Sequence, residues 1–215
     1  MRPVLSASQV RAAERELMAQ VPDGTLMQRA SFGLAVLCAD LLAQTRGRVV
    51  GSRVCILAGS GGNAGDALWA GSFLASRGCA MFVVQVSDHS HEEASAALLR
   101  AGGRVVDEVP TDVDLVLDGI VGIGGHGPLR PAAASAVSDA MDSGALIVAV
   151  DVPSGVDADT GLATAGAVMA DVTVAFGALK PALVLNPLHC GHVEVVDIGL
   201  SIDESDACVM QSRDV

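Results

Sequence analysis

The stretch RVCILAGSGGNAGDALWAGSFLASRG, residues 53–78, carries the pattern on which the rest of the chain depends. Its first part, Val54-Cys55-Ile56-Leu57-Ala58, is a short apolar run closed by glycine, which suits a buried parallel strand. Gly59, Gly61, Gly62 and Gly65 follow closely, and then Ala67, Leu68, Ala70, Gly71, Phe73, Leu74 and Ala75 recur at helical spacing until Gly78 closes the helix. A strand, a glycine turn and a helix N-terminus make an anion-binding geometry, because unpaired N–H groups point outward and the helix dipole favours negative charge. The loop departs from the dinucleotide fingerprint, since Asn63 and Asp66 follow at once and a carboxylate repels a phosphate. With no Lys-Ser/Thr pair after the glycines, a Walker-type nucleotide loop is excluded. Asn63 and Asp66 at the mouth of a parallel sheet read instead as ligands for a sugar, an amide or a cation.

Working outward, a helix is predicted over residues 8–20, with Ser8 as N-cap and Val10, Ala13, Leu17 and Met18 as its apolar stripe. A second is predicted over 25–45, burying Leu26, Met27, Ala30, Leu34, Leu37, Leu41 and Leu42. A doubly wound sheet does not need these two helices, so they are expected to cover a sheet edge or to form a two-fold dimer contact. Downstream, strands over 80–86, 104–106, 113–117, 145–150, 172–176 and 192–196 alternate with helices over 91–101 and 131–143. This alternation means an α/β fold with a mostly parallel sheet and helices on both faces. No linker splits the chain, so one domain over residues 1–200 is expected, with a tail over 201–215.

Composition narrows the function. A formal charge of −12 argues against binding a phosphate backbone, and four Phe, one Trp and no Tyr argue against base stacking. No nucleic-acid partner is expected. Five scattered cysteines without a C-x-x-C pair read as reduced core thiols. No secretory signal is visible at Met1-Arg2-Pro3, and no apolar run is judged long enough to span a membrane. A cytoplasmic protein without membrane contact is expected. Lys180 is the one lysine in the chain.

Three predicted strands end in polar loops: residues 59–66, 118–128 and 151–155. In an open parallel sheet, ligands bind outside the carboxyl ends of the strands, which brings Asn63, Asp66, Asp118, Asp151 and Ser154 within reach of one another. Oxygen-rich groups without a Cys/His cluster suit a hard cation better than zinc. His89 and His91 stand at a helix start and read as capping or solvated. His189 and His192 imitate a metal cluster, but no second cluster accompanies them.

These loops resemble those of the NAD(P)H-hydrate epimerase family, the YjeF N-terminal domain. Gly59-Ser60-Gly61-Gly62-Asn63-Ala64-Gly65-Asp66 is similar to its G-x-G-N-N-G-G-D loop, and Asp118-Gly119-Ile120-Val121-Gly122-Ile123-Gly124 to its D-A-x-x-G-T-G loop. The run from Asp151-Val152-Pro153-Ser154-Gly155 to Gly161 is similar to the D-x-P-S-G-x-x-x-x-x-G signature, and Phe176-Gly177-Ala178-Leu179-Lys180-Pro181 to F-G-x-x-K-P. The resemblance covers nearly the whole chain, and the third motif is the most specific. It implies a Rossmann-like three-layer αβα epimerase that interconverts the R and S forms of hydrated NADH or NADPH. It further implies that Gly62, Asn63, Ala64, Gly65 and Asp66 bind substrate, as do Gly122, Ile123, Gly124, Gly125, His126, Gly127, Pro128 and Asp151. A potassium ion would be held by Asn63, Asp118 and Ser154. The family implies a homodimer, and a dehydratase partner, separate or fused, that repairs the S form.

Gly62 stands where the family has its first Asn, Ala64 where it has a Gly, and Ile123 where it has a Thr. Losing an amide and a hydroxyl removes up to two hydrogen bonds, each worth about 0.5–1.5 kcal/mol net. Asp151 is the candidate for proton transfer in catalysis, with Lys180 as its partner or as a contact for a substrate phosphate. One rival class is a non-catalytic binding and dimerisation module that keeps the fold with a degraded first loop. Another is a carbohydrate kinase-like enzyme, which is weaker because the first loop has no phosphate lysine.

Overall fold

The computed structural model describes residues 3–202. Of the expected tail, residues 203–215, which include Cys208, lie outside the described residues. In chain order the elements are α1 (Ala7–Met18), α2 (Thr25–Arg46), β1 (Arg53–Ala58), α3 (Gly62–Ser76), β2 (Ala80–Gln85), α4 (Glu92–Arg100) and β3 (Arg104–Val106). They continue with β4 (Leu115–Gly119), α5 (Pro131–Asp142), β5 (Leu146–Val150), β6 (Val172–Phe176), α6 (Pro181–Leu185), α7 (Pro187–Cys190) and β7 (His192–Val196).

The seven strands form one sheet in the order β3-β2-β1-β4-β5-β6-β7. Every pairing between them is parallel, so the sheet goes beyond the mostly parallel one expected. The β1 strand lies between β2 and β4, and the chain leaves it in one direction to build β2 and β3 and returns on its other side for β4. The helices that follow β1 and β4 therefore lie on opposite faces of the sheet, which leaves a crevice at the carboxyl ends of the strands. Alternation along β1 sets the layers. Val54, Ile56 and Ala58 face α2, α3 and α4, whereas Cys55 and Leu57 face α5. The strands read as continuous apolar runs because both faces are covered.

Several local expectations are corrected. The N-cap of α1 is Ser6, not Ser8. The Ser6 hydroxyl accepts from Gln9 N (3.3 Å) and the Gln9 side chain accepts from Ser6 N (2.9 Å), a reciprocal pair that satisfies two donors at once. Ser8 lies inside the helix and is exposed. The α2 helix has 22 residues and is, by length and composition, long and apolar enough to cross a membrane, contrary to the reading of the sequence. In this fold it buries Ala30, Leu34, Ala35, Cys38, Ala39 and Leu42 against α3 and the sheet. Two short helices, α6 and α7, were not anticipated; each opens with proline at its start and neither is long enough to display a periodicity. Cys38, Cys55, Cys79 and Cys190 are buried and unpaired, and burial pushes the Cys55 thiol up to about 12 and that of Cys190 to about 11.

Candidate active site

The first glycine loop is shorter than the sequence suggested. Helix α3 begins at Gly62, so Asn63 and Asp66 belong to its opening turns. Gly59 is required by close approach: a Cβ there would lie 2.0 Å from the Ile120 carbonyl oxygen, so the loops after β1 and β4 touch backbone to backbone. Gly62 is exposed, and a Cβ on it would meet nothing within 4 Å. Ala64 is fully buried among the apolar residues of the α2–α3 face, and Gly65 donates its N–H to Gly61 O (3.1 Å) within the helix. Gly62, Asn63 and Asp66 line a cavity of about 530 Å³; Ala64 and Gly65 stand behind it.

Asp118 is the last residue but one of β4 and has no exposed surface. Its Oδ2 accepts from Ser154 N (2.8 Å), and its Oδ1 accepts from Ser154 Oγ (2.6 Å) and Ile120 N (3.3 Å). Ser154 Oγ also accepts from Val121 N (3.1 Å), with Val121 O at the same distance. Asp118 and Ser154 thus join the second and third rim loops directly. Burial pushes the Asp118 carboxyl up to about 6, against the three donors that favour its charge.

Asp151 follows β5 and is the one non-glycine residue with positive φ among the described residues, at 68°. An aspartate tolerates this left-handed region better than most residues, yet the backbone there is held rather than relaxed. The holding contacts are on one oxygen: Oδ1 takes the Lys180 ammonium and Phe176 N (3.2 Å). Lys180 is completely buried, and its remaining contact is Phe176 O at 3.0 Å. Oδ2 lies on the side of the second loop, where a Cβ on Gly122 would come within 3.5 Å of it and 2.8 Å of Asn63 Oδ1. Gly122 is therefore a position where a side chain would fill the space between Asn63 and Asp151.

The second loop serves two cavities. Gly122, Ile123 and Gly124 line the one that holds Asp151, whereas Gly124, Gly125, His126, Gly127 and Pro128 line a neighbour of about 300 Å³. His126 points its Nδ1 at Asp157 Oδ2 (3.4 Å), and Arg130 borders the same space. A third cavity, of about 450 Å³, shares Gly62, Asp66 and Phe176 with the first. Together they form a trough along the rim.

Helix α1, read from sequence as an edge cover or dimer helix, supplies a wall of this trough. Arg11 and Glu14 line the Asp151 cavity, and Arg11 Nη2 donates to Ile123 O (3.1 Å). The Ala7 N–H donates to Asp159 Oδ1 (2.7 Å), so the helix is tied to both the second and third rim loops. Burial first, then the charge of Asp151, raise the Glu14 carboxyl above its ordinary range, opposed by Lys180 and Arg11. Asp66 is pushed well up by burial, Asp151 and Glu14, and a hydrogen bond with Ser31 opposes that shift. The signal for α1 was present in the i, i+3 spacing of Arg11 and Glu14, two charges on one polar face.

The donor set fits a monovalent cation. Asp118 is a buried carboxylate with no cationic side chain paired to it among the described residues. The Asn63 amide nitrogen is buried without a hydrogen-bond partner among them. A buried carboxylate is costly without a counter-charge, which a cation would supply to Asp118; the Asn63 nitrogen is a donor, so only its Oδ1 could face that cation. No group of three or more His, Cys, Asp or Glu that could hold a metal ion occurs among the described residues.

The chain matches the family described as YjeF-related protein N-terminus over residues 23–182. It is 49% identical to the bifunctional NAD(P)H-hydrate repair enzyme Nnr of Mycobacterium leprae, over 100% of this chain and 45% of that protein. It is 43% identical to the NAD(P)H-hydrate epimerase of Microbacterium testaceum, over 91% of this chain and 78% of that protein. The chain thus spans under half the length of the bifunctional relatives. The crystal structure of yeast ynu0 superposes with a TM-score of 0.72 at 24% identity, covering 84% of this chain and 82% of that one, a likeness of fold.

Proposed function

This chain belongs to the YjeF-related protein N-terminus family, and on that premise we propose that it is an NAD(P)H-hydrate epimerase, interconverting the R and S hydrates of NADH or NADPH. The observation that carries this reading is Asp151: a strained carboxylate, paired with the buried Lys180 through one oxygen, at the edge of a ring-sized cavity.

The hydrated nicotinamide ring carries its hydroxyl on C6, beside the ring nitrogen. The nitrogen lone pair expels that hydroxyl once its oxygen is protonated, and water then returns to either face. Such a reaction needs a proton acceptor close to C6, which is the role given to Asp151. Lys180 positions it from the protein interior. The ring is assigned to the cavity of Asn63, Gly122 and Asp151. The substrate phosphates are assigned to the neighbouring space lined by residues 124–128 and Arg130, away from Glu14 and Asp66, which would repel them. Potassium, held by Asn63, Asp118 and Ser154, would supply a fixed positive charge at the junction of the three rim loops.

The non-catalytic alternative rested on Gly62 and Ala64. Ala64 packs in the core, and Gly62 leaves the cavity open rather than closed, so nothing in the site favours that alternative. Residues 1–200 are read as one cytoplasmic epimerase domain. Exposed Met18 and Phe32 on the first two helices suit a homodimer contact, which sedimentation at micromolar concentration tests. A dehydratase acting on the S hydrate is the functional partner. The decisive experiment mixes purified R and S hydrates with the protein and follows their ratio by chromatography. Equilibration at the uncatalysed rate would refute the proposal.

A further inference from the structure

Resting on the epimerase reading, we infer that Glu14 is the second catalytic carboxyl of this site, the proton donor to the departing C6 oxygen, with Asp151 as the acceptor on the return step. The two groups reach the same cavity from different elements, Glu14 from α1 and Asp151 from the end of β5. The position of α1 is fixed at two points, by Ala7 N on Asp159 and by Arg11 on Ile123, so Glu14 is not on a loose surface helix.

The two carboxyls have opposite settings. Asp151 Oδ1 already receives Lys180 and Phe176 N, which suits a group that accepts a proton through Oδ2. Glu14 is half-buried beside the charge of Asp151 and retains its proton further up the pH scale than an ordinary glutamate. A carboxyl that keeps its proton beside one whose other oxygen already takes an ammonium sets a donor next to an acceptor. The groups around Glu14 are Arg11 on its own helix, Asp151 and Lys180 at the rim, and Asp66 on α3. The adjoining cavity adds Asp23, His91 and Glu93. Asp66 is the competing donor, since it lines the same cavity and is also raised. It is tied by its hydrogen bond to Ser31 on α2, which suits an orienting role.

The step balances without an oxidant. Glu14 gives its proton to the C6 hydroxyl, the C6–O bond breaks with its electron pair on oxygen, and water leaves. The ring nitrogen lone pair forms the N1=C6 bond, leaving a cation that the carboxylates stabilise. Water then adds to C6 from the other face, the N1=C6 pair returns to nitrogen, and the surplus proton goes to Asp151. One proton has moved from Glu14 to Asp151. The reverse epimerisation moves it back, and exchange with solvent in the open cavity also resets the pair.

The test compares wild type, Glu14→Gln, Glu14→Asp and Asp66→Asn for equilibration of the R and S hydrates of NADH across pH. For Glu14→Gln, kcat should fall by about 10²-fold or more while KM stays within about threefold, the signature of an interaction made in the transition state. Wild-type kcat should decline at high pH as Glu14 loses its proton. That limb should vanish in Glu14→Gln, shift in Glu14→Asp and survive in Asp66→Asn. Wild-type kcat in a Glu14→Gln protein with a normal melting temperature overturns the inference, as does a raised KM with kcat unchanged. If Glu14→Gln does not fold, loss of the limb in Asp66→Asn overturns it instead. A wild-type protein no faster than the uncatalysed reaction sinks the epimerase reading itself, and this assignment with it.

Discussion

Asp118 and Asp151 end neighbouring strands of the same sheet, yet their surroundings are opposite. Asp118 is sealed, accepts three hydrogen bonds from neutral donors, and has its carboxyl pushed up to about 6 by burial. Asp151 has a left-handed backbone, a buried ammonium on one oxygen and a cavity beside it. Neutral donors at Asp118 do not fully offset desolvation, whereas a paired ammonium at Asp151 answers the charge directly. The comparison teaches that carboxylates at neighbouring strand ends of one crevice divide into a sealed junction between loops and a group that faces an open cavity.

Four changes would break or sharpen that contrast. The largest effect is expected for Asp151→Asn, which keeps the size and tolerates the left-handed backbone but cannot exchange a proton. Epimerisation should fall by roughly 10²–10⁴-fold with the circular dichroism spectrum retained. A purified variant that equilibrates the hydrates at the wild-type rate removes Asp151 from the chemistry.

Next comes Lys180→Met. Removing one partner of a buried ion pair typically costs about 3–5 kcal/mol, and water in the cavity beside Asp151 places the expected loss near the lower end. Denaturant midpoints measure it. Adding Asp151→Asn to Lys180→Met should recover part of the loss, because the double variant leaves no unpaired charge. Strictly additive losses would show that the pair does not act as a unit.

The third change addresses Asp118 through pH and potassium. Between its ordinary value of 3.8 and about 6, the folded chain binds more of this proton than the unfolded chain does. The contribution is therefore fully present below about pH 4 and is lost as pH rises through about 6, by up to ~3 kcal/mol. Asp66 and Glu14 are shifted in the same direction, so the difference between wild type and Asp118→Asn is what isolates this carboxyl. Potassium above pH 7 should raise the wild-type melting temperature and leave Asp118→Asn unchanged. Equal melting temperatures in potassium and in a large organic cation at matched ionic strength would sink the cation site.

The smallest effect is expected for Gly62→Asn, where the cavity has open space for the added side chain. One new hydrogen bond should tighten substrate binding by about 0.5–1.5 kcal/mol, read as a lower KM. Its potassium response should match wild type, since the added side chain enters open space and leaves Asn63, Asp118 and Ser154 unchanged. A change in that response would mean that the two strand ends are not independent.

Much of this site is legible in the chain because parallel strands buried on both faces appear as short apolar runs, and the polar residue ending each run marks the rim. That reading singles out Asp118, Asp151 and Ser154, and the structure joins Asp118 to Ser154 directly. The first loop was legible only in part. Sequence places Asn63, Ala64, Gly65 and Asp66 side by side, but a helix starting at Gly62 turns Ala64 into the core while Asn63 and Asp66 line the cavity. Arg11 and Glu14 were missed because amphipathic periodicity reports which face is apolar and says nothing of what the polar face meets across the fold. Short α6 and α7 were missed because four or five residues give no period.

The α1 wall has a consequence for the order of assembly. Its anchors join residues 152 and 112 positions apart in the chain, and Val4 bridges in parallel to Leu179, beside Lys180. Contacts between such distant segments carry a large loop-closure cost and form late on the path to the native state. During synthesis, α1 must wait until Asp159 and Leu179 have followed it. The sheet can assemble while the pocket still lacks a side, and the trough is complete only when α1 docks against segments more than a hundred residues later in the chain.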